Sequence, residues 1–259
     1  MRPARVAPSG LGGFPKPGPV LTAILIALPV AYLVELLVAR SIFPGIFELL
    51  ALSPPSVMEG RIWQPITYVF VHNPGGPGHL FFNLLGFYFL GAPLERWWGS
   101  RRFGLSCLVF LLAGGATTVL FALVVGAMGI DGWFMFLPVG PHLGADAIVV
   151  GLSVAFGIVS WSSPMQLLLV PVTFTGRTWV LVTLAIEVFS ALSFSGISST
   201  SHFGAIAASV LLCTGAWRLD TLRDLLRRKS LRWKMRSIEK QLEVIDGGRS
   251  NKKKDDLPN

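Results

Sequence analysis

Apolar residues fall in long runs along this chain rather than alternating with polar ones. The first runs from Pro19 to Ala39 and is broken only by Glu35. At 1.5 Å per residue it is long enough to cross about 30 Å of hydrocarbon. Further runs follow at about 79–94, 103–127, 144–161, 178–195 and 202–217. The pattern predicts an all-α membrane protein, a bundle of six transmembrane helices. The first run exceeds the usual apolar core of a secretory signal and ends without a small-x-small cleavage site, so it is expected to be retained. Three segments result: a Pro/Gly-rich N-terminus at 1–18, a six-helix membrane domain at 19–217 and a tail at 218–259.

Composition agrees with the bilayer as solvent. Of 259 residues 52% are hydrophobic and only 14% charged, against about 25% charged in ordinary soluble domains. Mean hydropathy is +0.62. The net charge of +8 raises the question of nucleic acid, and the positions of the charges answer it. With the N-terminus inside, twenty of the 22 lysines and arginines fall in inside segments, leaving only Arg40 and Arg61 outside. This is the asymmetry of a multi-pass membrane protein with both termini cytoplasmic, and no nucleic-acid partner is expected. The tail interleaves Leu219, Leu222, Leu226, Trp233, Ile238 and Leu242 with basic residues. Such a segment suits an anionic lipid surface, a partner helix or a solvated extension. Cys107 and Cys213 both sit in apolar runs, so neither a disulfide framework nor a zinc knuckle is expected.

The informative residues are polar ones at the ends of runs. His79 and Asn83 stand at i and i+4, on one face of the second run. Asp146, just after Gly144, opens the fourth run, and His202 opens the sixth. In a six-span chain that starts inside, all even spans descend from the outer side, so these residues share one shallow layer. Polar groups there either face a bundle interior or are satisfied at the headgroups. His72 and His142 lie between runs and are expected at the interface. Glu187 lies within the fifth run with no obvious partner. A metal site of His79, His202 and Asp146 is chemically conceivable, but nothing else in the sequence supports it, and no metal or other cofactor is expected.

The stretch Trp63-Gln64-Pro65-Ile66-Thr67-Tyr68-Val69-Phe70-Val71-His72, then His79-Leu80-Phe81-Phe82-Asn83, then Leu94-Glu95-Arg96-Trp97-Trp98-Gly99-Ser100, resembles the rhomboid intramembrane serine proteases in order and spacing. The resemblance covers about residues 61 to 210. In that family a serine in G-x-S-G at the start of span four attacks the peptide carbonyl, a histidine on span six takes its proton, and His and Asn on span two help hold the oxyanion. By that resemblance His202 occupies the base position, His79 and Asn83 the oxyanion positions and Gly144 the first glycine of the motif.

The nucleophile departs from the pattern. The chain reads Gly144-Ala145-Asp146-Ala147, so Asp146 stands in place of the serine and Ala147 in place of the second glycine. Val150 stands where the family often has an aromatic. Ser153 lies about 10 Å deeper along the helix, too far to substitute. Carboxylate attack on an amide would give an anhydride while expelling a poor leaving group. The expected role of Asp146 is instead a hydrogen-bonded ion pair with His202, which would then already carry its proton. The resemblance thus implies a rhomboid-like architecture without proteolysis, which binds transmembrane segments of client proteins in the lipid bilayer. The competing reading is an active intramembrane serine endopeptidase. A transporter would call for broken helices or repeated halves, of which no pair is evident.

Overall fold

The computed structural model describes residues 15–43, 45–73, 76–129, 142–167, 170–192, 199–215 and 235. Most of the N-terminal segment, most of the 126–143 loop and nearly all of the basic tail lie outside the described residues, and so do the expectations for them. The described residues between 15 and 214 belong to one compact unit.

Each of the six apolar runs holds helix among the described residues. The first is α1, Pro19–Ser41. Pro19 opens it without needing an N–H partner, and its free amides are met from a distance: Val20 N and Leu21 N each donate to the Glu95 carboxylate at 3.0 Å. Glu95 thus serves as the helix cap that the local sequence lacks. Three short helices follow in the connection, α2 (Ile46–Leu50), α3 (Pro54–Met58) and α4 (Gln64–Thr67), then a 3-10 turn at Tyr68–Phe70. The Trp-Gln-Pro-x-Thr stretch has a structural task here. Gln64 Nε2 donates to Glu48 O at 3.0 Å, Trp63 Nε1 to Leu49 O at 2.9 Å and Thr67 Oγ1 to Leu50 O at 2.8 Å. These side chains satisfy the carbonyls that the end of α2 leaves open.

The second run is continuous helix with a defect. It comprises α5 (Gly78–Gly86), a π-helical turn at Phe87–Gly91 and α6 (Ala92–Trp98). Pro93 has no N–H for the carbonyl one turn earlier, a sufficient reason for the widened turn. Gly99, at φ +76°, breaks the chain direction before α7, Ser100–Ala127. The last three helices are α8 (Asp146–Val159), α9 (Gly176–Leu192) and α10 (Ser199–Thr214).

The all-helical expectation needs one correction. Between α8 and α9 an antiparallel hairpin pairs β1, Pro164–Leu167, with β2, Val170–Thr175. Val170-Pro-Val-Thr-Phe-Thr175 is β-branched and aromatic at alternate positions, the pattern of a strand, and it is hidden in sequence by the apolar residues around it.

Small residues bring α7, α8 and α10 together. A β-carbon on Gly204 would strike Ala113 O and Thr117 Oγ1, and one on Gly151 would strike the Phe110 ring. Tyr68, Phe87, Phe103, Phe110 and Leu152 fill the core between the helices. The outward faces stay apolar: Leu37, Phe82 and Phe189 are 67%, 69% and 73% exposed. Among the described residues, Pro19–Ala39 and Ser100–Ala127 are long and apolar enough to cross a membrane, and the helices of α8 and α10 are shorter apolar segments. Faces this apolar belong against lipid rather than water.

Candidate functional site

The residues singled out in the sequence converge at the start of α8. Gly144 has φ +97°, and a β-carbon there would fall on the His79 ring, so the turn into α8 requires glycine on both counts. The turn is tied to the rest by Gly144 N, which donates to Tyr68 O at 3.0 Å. Asp146 is the first residue of α8, which sets its carboxylate at the positive end of the helix dipole.

From α5, His79 Nε2 meets Asp146 Oδ1 at 2.6 Å, and Asn83 Nδ2 donates to the same oxygen at 2.9 Å. The i, i+4 spacing therefore aims both side chains at one atom. His202, in the first turn of α10, sets Nε2 3.9 Å from Asp146 Oδ2. That is close enough for an ion pair but too long for the hydrogen bond expected between them. The hydrogen bond of His202 goes elsewhere: Nδ1 lies 2.7 Å from Glu187 Oε2 on α9. Two expectations are corrected here. Asp146 is hydrogen-bonded by His79 and Asn83 rather than by His202, and Glu187, which had no obvious partner in the sequence, pairs with the imidazole.

Sequence position contained a signal for Glu187. It lies five residues from Leu192, the last residue of α9, about a turn and a half from that end. An outward-running α9 would bring it to the layer of His202. Counting depth from helix ends, rather than from the middle of an apolar run, would have found it.

A second group of polar residues adjoins the first. His72 N donates to Glu35 Oε2 at 3.4 Å, and the His72 ring lies 5.4 Å from that of His79, centroid to centroid. Neither His72 nor His142 sits at an interface as expected. They are 0% and 2% exposed, because His72 packs between Tyr32 and His79 while His142 exchanges backbone hydrogen bonds with Leu52. Burial lowers the pKa of both, that of His142 to about 4. Glu35 Oε1, His72 Nε2, His79 Nδ1 and both ring nitrogens of His142 are buried without a hydrogen-bond partner among the described residues.

The Ser153 hydroxyl, deeper on α8, is already engaged. Ser153 Oγ lies 3.0 Å from Thr183 Oγ1 and accepts from Trp179 Nε1 at 2.9 Å, which ties α8 to α9. Ala147, in place of the motif's second glycine, is buried. A β-carbon on Gly114 of α7 would meet its methyl at 3.1 Å, so Ala147 and Gly114 face each other. Among the described residues no group of three or more His, Cys, Asp or Glu is arranged to hold a metal ion.

The arrangement is a line of three groups around one carboxylate: donors on Oδ1, an imidazole facing Oδ2, and a second carboxylate behind that imidazole. A hydroxyl nucleophile is missing from it. The oxygen held by His79 and Asn83 already bears charge, so a peptide carbonyl would have to displace a charge-assisted hydrogen bond to reach them.

Comparison with known proteins bears on the family. The family model described as "Rhomboid domain" matches residues 59–218. The chain is 27% identical over 150 residues to "Rhomboid protease GluP" of Bacillus subtilis (strain 168), a match over 58% of this chain and 25% of that protein. It is 27% identical over 149 residues to "UPF0182 protein TW644" of Tropheryma whipplei (strain TW08/27), over 55% of this chain and 14% of the relative. The chain therefore spans a quarter or less of the length of either relative.

Proposed function

The chain belongs to the rhomboid family, and on that premise we propose a multi-pass membrane protein that binds transmembrane segments of client proteins without cutting them. Six spans with both termini cytoplasmic are supported by six helical segments of apolar sequence and by the twenty-to-two division of basic residues. One observation carries the loss of proteolysis. Asp146 Oδ1 takes both donors, at 2.6 and 2.9 Å, that the family resemblance assigns to the oxyanion of a peptide intermediate. The donors stabilise a charge that is permanent instead of one that develops in the transition state, so they give no rate advantage to peptide cleavage.

Client binding has its own support in the exposed apolar faces of α5 and α9, where Phe82 and Phe189 point outward. Benzophenone crosslinkers at positions 82 and 189 are expected to capture transmembrane segments of other proteins in native membranes. A crosslinker at Leu105, also exposed but on α7, should capture lipid. Lipid alone at all three positions would defeat the binding reading. A second reading, peptide cleavage, is favoured by the name of the Bacillus subtilis relative. Position 146 separates the two.

A further inference from the structure

Between α1 and α7 the described residues leave a cleft. Its volume is about 170 Å³, and no polar surface lines it. Apolar cavities of about 150 Å³ stay free of water and take up apolar guests. The floor is buried: Phe87 at the head of the π-helical turn, Cys107 of α7 and Ile148 of α8 are 0%, 5% and 5% exposed. The rim is not. Phe70 and Leu108 are 42% and 45% exposed, and Ala27 of α1 is exposed beside them. The cleft therefore opens through the outward faces of the two helices that are long and apolar enough to cross a membrane.

Helix register gives its depth. Near the start of both helices a β-carbon on Gly104 would meet Val20 at 3.4 Å, and one to two turns on Leu108 and Ala27 share the rim, so α1 and α7 run side by side in one direction. Ala27 and Leu108 each lie about 12 Å past the first residue of their helix, inside a hydrocarbon layer about 30 Å thick. At that depth the surroundings supply hydrocarbon chains and no water. Arg101 precedes Leu108 by two turns, about 10 Å along the same face of α7. It is exposed and makes no ion pair among the described residues. Its neighbour Arg102 sits over the Trp98 ring at 5.2 Å. The carboxylate at this end, Glu95, is buried and bound to Val20 N and Leu21 N.

We propose that the cleft is a binding site for an anionic phospholipid of the bilayer, with one acyl chain seated over Phe87 and Cys107 and the phosphate on Arg101. A transmembrane helix, about 10 Å across with its side chains, is too wide to enter, whereas a single flexible chain is not. Charge complementarity at Arg101 favours lipid over an apolar client side chain, which would bring no anion there. None of these residues belongs to the group around Asp146, so the site holds whether the chain cuts clients, binds them or does neither.

The test uses the full chain in vesicles of phosphatidylcholine with a phosphatidylglycerol that carries a diazirine at mid-chain. Photolysis and mass spectrometry are expected to place label on Phe87 or Cys107, in excess over Leu123, an exposed position farther along α7. Arg101→Gln should cut the preference for phosphatidylglycerol over diazirine-bearing phosphatidylcholine by about fivefold, the effect of one cationic side chain near an anionic surface. Ala27→Trp, which plugs the rim, should remove the label at the floor and leave that on Leu123. In native membranes a benzophenone at position 27 should capture lipid. Floor label no greater than that on Leu123, or floor label that survives Ala27→Trp, would overturn the site. A lipid preference unchanged by Arg101→Gln would overturn the headgroup assignment, and capture of a protein segment from position 27 would overturn lipid as the occupant. The wild-type labelling map needs no variant, so a variant that fails to fold does not blunt it.

Discussion

At the residue scale the site is set by which histidine meets which carboxylate. Three of the four histidines of the chain contact a carboxylate oxygen through a side-chain or backbone nitrogen. His142 does not, and its ring is buried with both nitrogens unpaired among the described residues. Its pKa falls to about 4, chiefly through burial, so the fold holds the neutral form. The unfolded chain takes up the proton near its ordinary value of 6.5. The stability contributed by keeping His142 neutral is thus complete above about pH 6.5 and is lost as pH falls through about 4. His72 is shifted in the same direction and adds to the acid sensitivity. Thermal unfolding in detergent between pH 7 and pH 4 should show falling stability, and His142→Leu should flatten part of that slope. An unchanged slope in the variant would place the acid sensitivity elsewhere. His79, Asn83, Asp146 and His202 were legible in the sequence because helix ends and i, i+4 spacing fix their depth and face. The burial of His72 and His142 was not, since it depends on how the connections fold over the bundle, which hydropathy does not encode.

At the scale of elements the helices were legible and their joints were not. Apolar runs mark α1, α7 and α8 because each must hide its backbone within itself. The capping of α1 by Glu95, seventy-five residues away from Val20, follows from tertiary approach and leaves no local signature. The hairpin at β1 and β2 escaped because its residues fall in the connection between the fourth and fifth apolar runs, where hydropathy alone assigns no element. Close approach of α10 to α7 rests on Gly204, where a β-carbon meets backbone oxygen that cannot give way. Gly204→Ala should destabilise the protein by about 1–3 kcal/mol through overpacking and should shift His202, which lies on the same helix two residues earlier. Gly126→Ala, where a β-carbon meets nothing within 4 Å, should leave stability unchanged or raise it slightly through helix propensity. Thermal unfolding of the two variants side by side checks this. Equal effects would mean that the α7–α10 contact is looser than these distances imply.

At the scale of the whole molecule, a rhomboid domain holds its Gly144 turn against α5, while by the family resemblance His202 stands in the base position and an aspartate, Asp146, stands in place of the serine. Restoring the hydroxyl alone is not expected to restore cleavage. Ala147 and Val150 still depart from the motif, Glu187 still holds His202, and groups that act as a unit contribute non-additively. Asp146→Ser should therefore cleave little, with any gain needing Ala147→Gly and Val150→Phe beside it. The most direct measurement of the central claim is cleavage of a transmembrane rhomboid substrate by the wild-type chain reconstituted in lipid vesicles, with His202→Ala as the paired control. With Asp146 holding both His79 and Asn83, no cleavage above that control is expected; robust cleavage by the wild type that disappears in His202→Ala would contradict the account.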